Sequence, residues 1–113
     1  MEARAEHKYA RISPRKVQIV CDLIRDKDVE SAKGILLNTP KEGARLLYKV
    51  LCSAAANAEN NFEMDPAKLY VAKTWVAPGP ILKRGRATAR GRYSRILKRT
   101  SHIVVTVAEK EEA

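Results

Sequence analysis

Between Pro80 and His102 the chain carries Lys83, Arg84, Arg86, Arg90, Arg92, Arg95, Lys98 and Arg99, with no aspartate or glutamate among them. Arginine dominates this set, and its planar guanidinium pairs bidentately with phosphate and stacks on flat rings. The acid-free zone is wider than the basic segment, because after Asp65 the next carboxylate is Glu109. An ordinary basic run is a solvated loop. Here the arginine excess and the lack of internal counter-charge point instead to a polyanion that supplies negative charge along the whole segment, as folded RNA does. A second basic group stands at Arg11, Arg15 and Lys16, around Ser13 and Pro14. Ser13 and Pro14 read as the cap and first position of a helix, whose exposed amides and positive end converge with these cations on a nearby phosphate.

Positioning these charges requires a scaffold. LYVAKTWVA (69–77) and HIVVTVA (102–108) read as strands on either side of the basic segment, which makes the segment a β-ribbon with its turn within Gly85 to Gly91. Arms of about ten residues reach on the order of 30 Å. Such a ribbon has no core of its own. Pro78, Gly79 and Pro80 break the ladder where it leaves the sheet. Upstream, residues 3 to 12 predict a further strand with Tyr9 and Ile12 as its main apolar members. Val17, Val20, Cys21 and Ile24 share one face of a first helix ending near Arg25. Val29, Ala32, Ile35 and Leu36 define a second, short helix capped by Asp28. Thr39, Pro40 and Glu42 form a capping-box pattern for a long third helix to about Asn60, with Ala44, Leu47, Val50, Leu51, Ala54, Ala55 and Ala58 as its stripe. In the strand over 67–77, strict alternation puts Leu69, Val71, Lys73 and Trp75 on one side and Tyr70, Ala72, Thr74 and Val76 on the other. The order predicts an α+β fold: a small three-stranded antiparallel sheet, three helices on one face and a long protruding basic hairpin. It forms one domain over 1–113, with a globular part at 1–79 and 100–110 and the hairpin at about 80–99.

The 113 residues carry a net charge of +9, which favours nucleic acid as the standing partner. No apolar run approaches a membrane span, and MEARAEHKYAR is too polar for a signal peptide, so a cytoplasmic protein without membrane partners is expected. Cys21 and Cys52 lie in helical patterns outside any CxxC and read as small buried hydrophobes. Catalytic chemistry finds little support. Ser101 and His102 are neighbours on a strand and point to opposite faces, with no acid nearby. His7 and His102 lack the carboxylate or thiol company of a metal site. Neither P-loop nor GxGxxG is present. No enzyme, cofactor or metal is expected. An architectural DNA-binding protein with a β-ribbon arm is the alternative, although RGRATAR offers no apolar wedge, and an enzyme acting on RNA stands a distant third.

The run ARGRYSRILKRTSHIVVTV (89–107), preceded by GPILKR (79–84), resembles the C-terminal signature of the bacterial large-subunit ribosomal protein twenty-two family. RISPRKVQIVCDLIR and KVLCSAAANAENN are similar to that family's first and third helices, so the resemblance covers nearly the whole chain. It implies a structural component of the large ribosomal subunit that binds ribosomal RNA, supports assembly and lines the nascent-chain exit tunnel with its hairpin tip. The implied partners are large-subunit ribosomal RNA, neighbouring large-subunit proteins and the nascent polypeptide, with a monomer outside the ribosome. Carried onto this sequence, it implies RNA contacts from Arg11, Ser13, Arg15, Lys16, Lys83, Arg84, Arg86, Arg90, Arg92, Arg95, Lys98, Arg99 and His102. The implied tunnel-lining tip comprises Leu82, Lys83, Arg84, Gly85, Arg86, Ala87, Thr88, Ala89 and Arg90. Members of the family often have a bulky residue where Gly85 stands and proline where Ala87 stands, so the tip differs in detail.

Overall fold

Ser13 opens the helical layer as expected: its hydroxyl accepts from the Lys16 amide at 3.4 Å, Pro14 takes the first turn, and Val17, Val20, Cys21 and Ile24 are wholly buried. The computed structural model describes residues 2–87 and 93–109, with the backbone alone over 82–87 and 93–97. Strand β1 (Glu2–Ala10) is followed by helices α1 (Pro14–Ile24), α2 (Val29–Leu37) and α3 (Glu42–Phe62). A 3-10 turn (Pro66–Lys68) then leads into β2 (Leu69–Pro78), β3 (Leu82–Ala87), β4 (Tyr93–Lys98) and β5 (Ser101–Glu109). β5 lies at the centre of a three-stranded antiparallel sheet ordered β1-β5-β2, and β3 pairs with β4 as a separate two-stranded ribbon. The molecule is drawn out to 67 Å along one axis against 26 and 19 Å along the others.

The core lies between the helices and one face of the sheet. Ile24, Leu47, Leu51, Ile103, Val105 and Val107 are fully buried there, and burying each such side chain contributes about 1.5–3 kcal/mol relative to leaving it in water. α3 is the spine, with Ala44, Leu47, Val50, Leu51, Ala54 and Ala58 buried along its length. Its Asn57 amide donates to the Arg4 carbonyl at 3.1 Å and ties the helix to β1. The outer edge of β2 is closed by the turn after α1: the Asp26 amide donates to the Val71 carbonyl at 3.0 Å, and the Val71 amide to the Lys27 carbonyl at 2.9 Å.

Four local expectations are corrected. Thr39 does not cap α3, since its hydroxyl donates to the Ile35 carbonyl at 2.7 Å and so finishes α2. Lys41 takes the cap position, and Glu42 pairs with Arg45. In β2 the alternation slips at a bulge between Val71 and Lys73. Leu69, Val71 and Thr74 therefore face the helices, while Lys73 and Trp75 are exposed, because one extra residue reverses every later side chain. Gly85 is not a turn residue: it pairs with Arg95 inside the β3–β4 ladder, and the connection falls in 88–92, outside the described residues. The first strand ends at Ala10 rather than at residue 12.

Candidate nucleic-acid interface

The ribbon is rooted by a short set of bonds. The Gly79 amide donates to the Thr100 carbonyl at 3.0 Å, and the Thr100 hydroxyl donates back to the Pro80 carbonyl at 2.6 Å. This crossing pair holds the two arms together where prolines interrupt the ladder. Glycine at position 79 leaves the Thr100 hydroxyl bond undisturbed, because a methyl there would lie 2.5 Å from the Thr100 Oγ1 and 3.3 Å from the His102 ring and would force the hydroxyl to shift. Beside it, the buried Ser101 hydroxyl donates to the Ile12 carbonyl at 2.6 Å, and the Ile12 amide donates to the Ala10 carbonyl at 2.9 Å. The start of α1 is thereby fixed against the root of the ribbon.

The consequence is an open groove of about 670 Å³ lined by Arg11, Ile12, Ser13, Lys16, Glu42, Lys98 and Arg99. Two basic groups that lie more than eighty positions apart in the chain meet in it: Arg11 and Lys16 from the helix start, Lys98 and Arg99 from the returning arm. All four side chains are exposed. Arg15 stands around the corner, where it lines a second hollow with Ser13, Pro14 and again Arg99. The one acid in the main groove, Glu42, is held below the usual carboxylate range chiefly by its hydrogen bond with Arg45, so its charge is already answered from its own helix. α1 has no acid in its first turn. The groove therefore presents cations and a positive helix end to the same space, an arrangement suited to phosphate.

Of the remaining residues expected to touch RNA, Lys83, Arg84, Arg86 and Arg95 stand in the ribbon's arms. The register pairs Leu82 with Lys98, Lys83 with Leu97, Arg84 with Ile96 and Arg86 with Ser94. Arg84, Arg86 and Lys98 thus occupy one set of alternate positions, and Lys83 and Arg95 the other. Arg90 and Arg92 lie outside the described residues, as do Thr88 and Ala89. Leu82 to Ala87, expected at the tip, form the outgoing arm, with Leu82 at the end of the ladder nearest the globular part. His102 is half-buried on the sheet face away from the helices, where its Nδ1 accepts from the Tyr9 amide at 3.1 Å.

Cys21 is buried, with its sulfur accepting from the Thr74 hydroxyl at 3.3 Å, and both cysteines are free thiols. Among the described residues no cluster of three or more His, Cys, Asp or Glu side chains is placed to hold a metal, and no helix is long and apolar enough to cross a membrane. Reading the sequence alone missed Ile12 and Glu42 as walls of the groove; the only local signal was their position beside Arg11 and at the start of α3.

Residues 5–108 match the family model described as ribosomal protein L22p/L17e. The chain is 56% identical over 111 residues to the large ribosomal subunit protein uL22 of Clostridium tetani, covering 98% of this chain and 100% of that protein. It is similarly 56% identical over 112 residues to the uL22 of Carboxydothermus hydrogenoformans, and 54% identical over 112 residues to that of Halothermothrix orenii, with 99% of each chain covered in both cases. A family match that takes in the groove, the ribbon and the sheet together, with relatives more than half identical from end to end, establishes that this chain belongs to the ribosomal protein L22p/L17e family.

Proposed function

We propose that this chain is a structural constituent of the large ribosomal subunit, which works by binding ribosomal RNA and has no catalytic role. The observation that carries this reading is the groove in which Arg11, Lys16, Lys98 and Arg99 converge at the root of a ribbon whose arms add Lys83, Arg84, Arg86 and Arg95. The globular part docks at the groove, and the ribbon runs on into RNA with cations at both sets of alternate positions. Its far end, within 82–90, lines the exit tunnel and meets the nascent polypeptide, and the whole supports subunit assembly beside neighbouring ribosomal proteins. Arg90, Arg92 and His102 belong to the same RNA-facing set. The protein is one domain, a monomer before incorporation, and resides on cytoplasmic ribosomes.

Salt titration tests the binding step. If groove and ribbon together neutralise some five to eight phosphates, log K for transcribed large-subunit ribosomal RNA falls with log salt with a slope of about −4 to −7. Lys98→Gln and Arg99→Gln each flatten that slope by roughly one, since each removes about one phosphate contact. A slope near zero in the wild-type protein would remove the electrostatic basis of the reading.

A further inference from the structure

Tyr9 is held in a backbone conformation that its side chain does not favour, and it is held outward. Its φ is 59°, in the left-handed region. It sits in a bulge of β1, between the His7–Ile103 and Ala10–Ser101 pairs, where the strand carries one more residue than β5. Glycine is the ordinary occupant of a left-handed bulge position, and a tyrosine there costs stability. The bulge also re-aims the side chain. Tyr9 is 62% exposed, the most exposed aromatic among the described residues. Its ring meets His102 edge to face at 4.9 Å with an interplanar angle of 86°, a contact that covers at most one ring face. His102 is itself fixed by the Tyr9 amide on one side and approached by Gly79 on the other. The ring therefore stands on a built support at the root of the ribbon.

Trp75, on the same open sheet face, provides the contrast. The Arg4 guanidinium lies over its ring at 5.4 Å, and Trp75 is 38% exposed. Arg4 and Trp75 shield the strand between them, where Val104 and Thr106 are only 2% and 4% exposed. Trp75 is thus occupied by the protein's own cation, whereas Tyr9 is left open between exposed Lys8 and Arg11, the latter already a wall of the cationic groove. An exposed aromatic face two residues before the groove cation Arg11 matches an unstacked nucleotide, whose base stacks on the ring while its phosphate meets the charge.

We infer that Tyr9, braced by His102, is a stacking platform for an unpaired base of the RNA whose backbone occupies the groove that Arg11 lines. This rests on the RNA-binding reading above and adds a contact that reads exposure of a base rather than charge. Stacking of this kind tolerates any base.

The test uses the full chain and transcribed bacterial large-subunit ribosomal RNA. Tyr9→Gly relieves the left-handed backbone, so its thermal midpoint equals or exceeds that of the wild type while affinity falls by about 5- to 150-fold. Tyr9→Leu loses affinity likewise, and Tyr9→Trp keeps it. The salt slope is unchanged in all three, because no charge is removed. Tyr9→Gly binding as tightly as wild type would overturn the platform while leaving the RNA reading intact; a wild-type protein with no salt-dependent binding would overturn both. A photo-crosslinking benzoylphenylalanine at position 9 supplies a second readout in assembled particles. Crosslinks at an unpaired nucleotide support the inference, and crosslinks only to paired nucleotides or to another protein refute it.

Discussion

At the scale of single residues, the buried polar groups are those that lock elements together rather than those that meet a partner. Thr74 and Cys21 illustrate this. The Thr74 hydroxyl, buried on β2, donates to the Cys21 sulfur on α1. Burial pushes the Cys21 thiol above its ordinary value of 9.0, and the bond from Thr74 only partly offsets that. A folded-state value above the unfolded one means that the unfolded chain releases its thiol proton first as pH rises. The stabilisation is thus complete below about pH 9 and is lost as pH climbs through the raised value. The urea midpoint of the wild type therefore falls more steeply between pH 8 and pH 10.5 than that of Cys21→Ala. Parallel slopes in the two proteins would show that the thiol stays exposed enough to ionise in the fold. Tyr48 titrates upward as well, through its bond with Cys52, but it does so in both proteins and cancels in the comparison.

At the scale of elements, the root of the ribbon joins the parts on which the proposed function rests. Here Gly79, Thr100, Ser101 and His102 connect two arms, the start of α1 and the open sheet face within a few residues. Gly79→Ala places a methyl against the Thr100 hydroxyl and displaces the bond to Pro80, at a cost of about 1–3 kcal/mol. Because Lys98 and Arg99 hang from the same root, the substitution also weakens RNA binding. Thr100→Ala in the Gly79→Ala background removes the atom in conflict, so the double variant binds more tightly than Gly79→Ala alone. Thermal melts and RNA titrations on the four proteins of this cycle measure both effects, and strict additivity would show that the two positions do not collide. The bulges at Val71/Lys73 and at Tyr9 belong to the same scale. The first turns Thr74 inward and Trp75 outward, and the second leaves Tyr9 exposed two residues before Arg11.

Across the whole molecule, stability and reach are divided between different parts. Among the described side chains, the buried core draws on the helices, β1, β2, β5 and the connections that carry Ile12 and Met64, and β3 pairs with β4 in a sheet of its own. Removing Leu82–Arg84 together with their partners Ile96–Lys98 shortens both arms equally and keeps the remaining cross-strand partners opposite one another. The shortened protein keeps a cooperative unfolding transition with its midpoint within a few degrees of wild type, while its salt slope on ribosomal RNA flattens. Circular dichroism melts check the first outcome and RNA titrations the second; loss of the cooperative transition would mean that the ribbon is part of the folding unit. In reconstituted particles the same variant, which has lost Lys98 from the groove, incorporates through the remaining groove cations Arg11, Lys16 and Arg99, and electron microscopy registers a withdrawn ribbon end.

The local sequence determined most of what is periodic or compositional. The buried stripes of α1 and α3 follow from apolar residues three and four apart, the start of α1 from Ser13 and Pro14, and the ribbon from a long acid-free basic stretch between two β-branched strands. Family membership is carried by contiguous motifs and was legible in the same way. Tertiary structure alone decided whatever depends on a partner distant in sequence. Strand register is set by the opposing strand, so neither bulge could be read from alternation, and Lys73 and Trp75 were grouped with Leu69 and Val71 on the wrong side. Thr39 suits the start of one helix as well as the end of another, and packing of α2 against α3 selected the second. The groove depends on the Ser101 bond to Ile12, which spans 89 positions. Charge patterning picks out the cations, but only the folded chain brings Arg11 and Lys16 to Lys98 and Arg99, because that meeting is fixed by long-range hydrogen bonds.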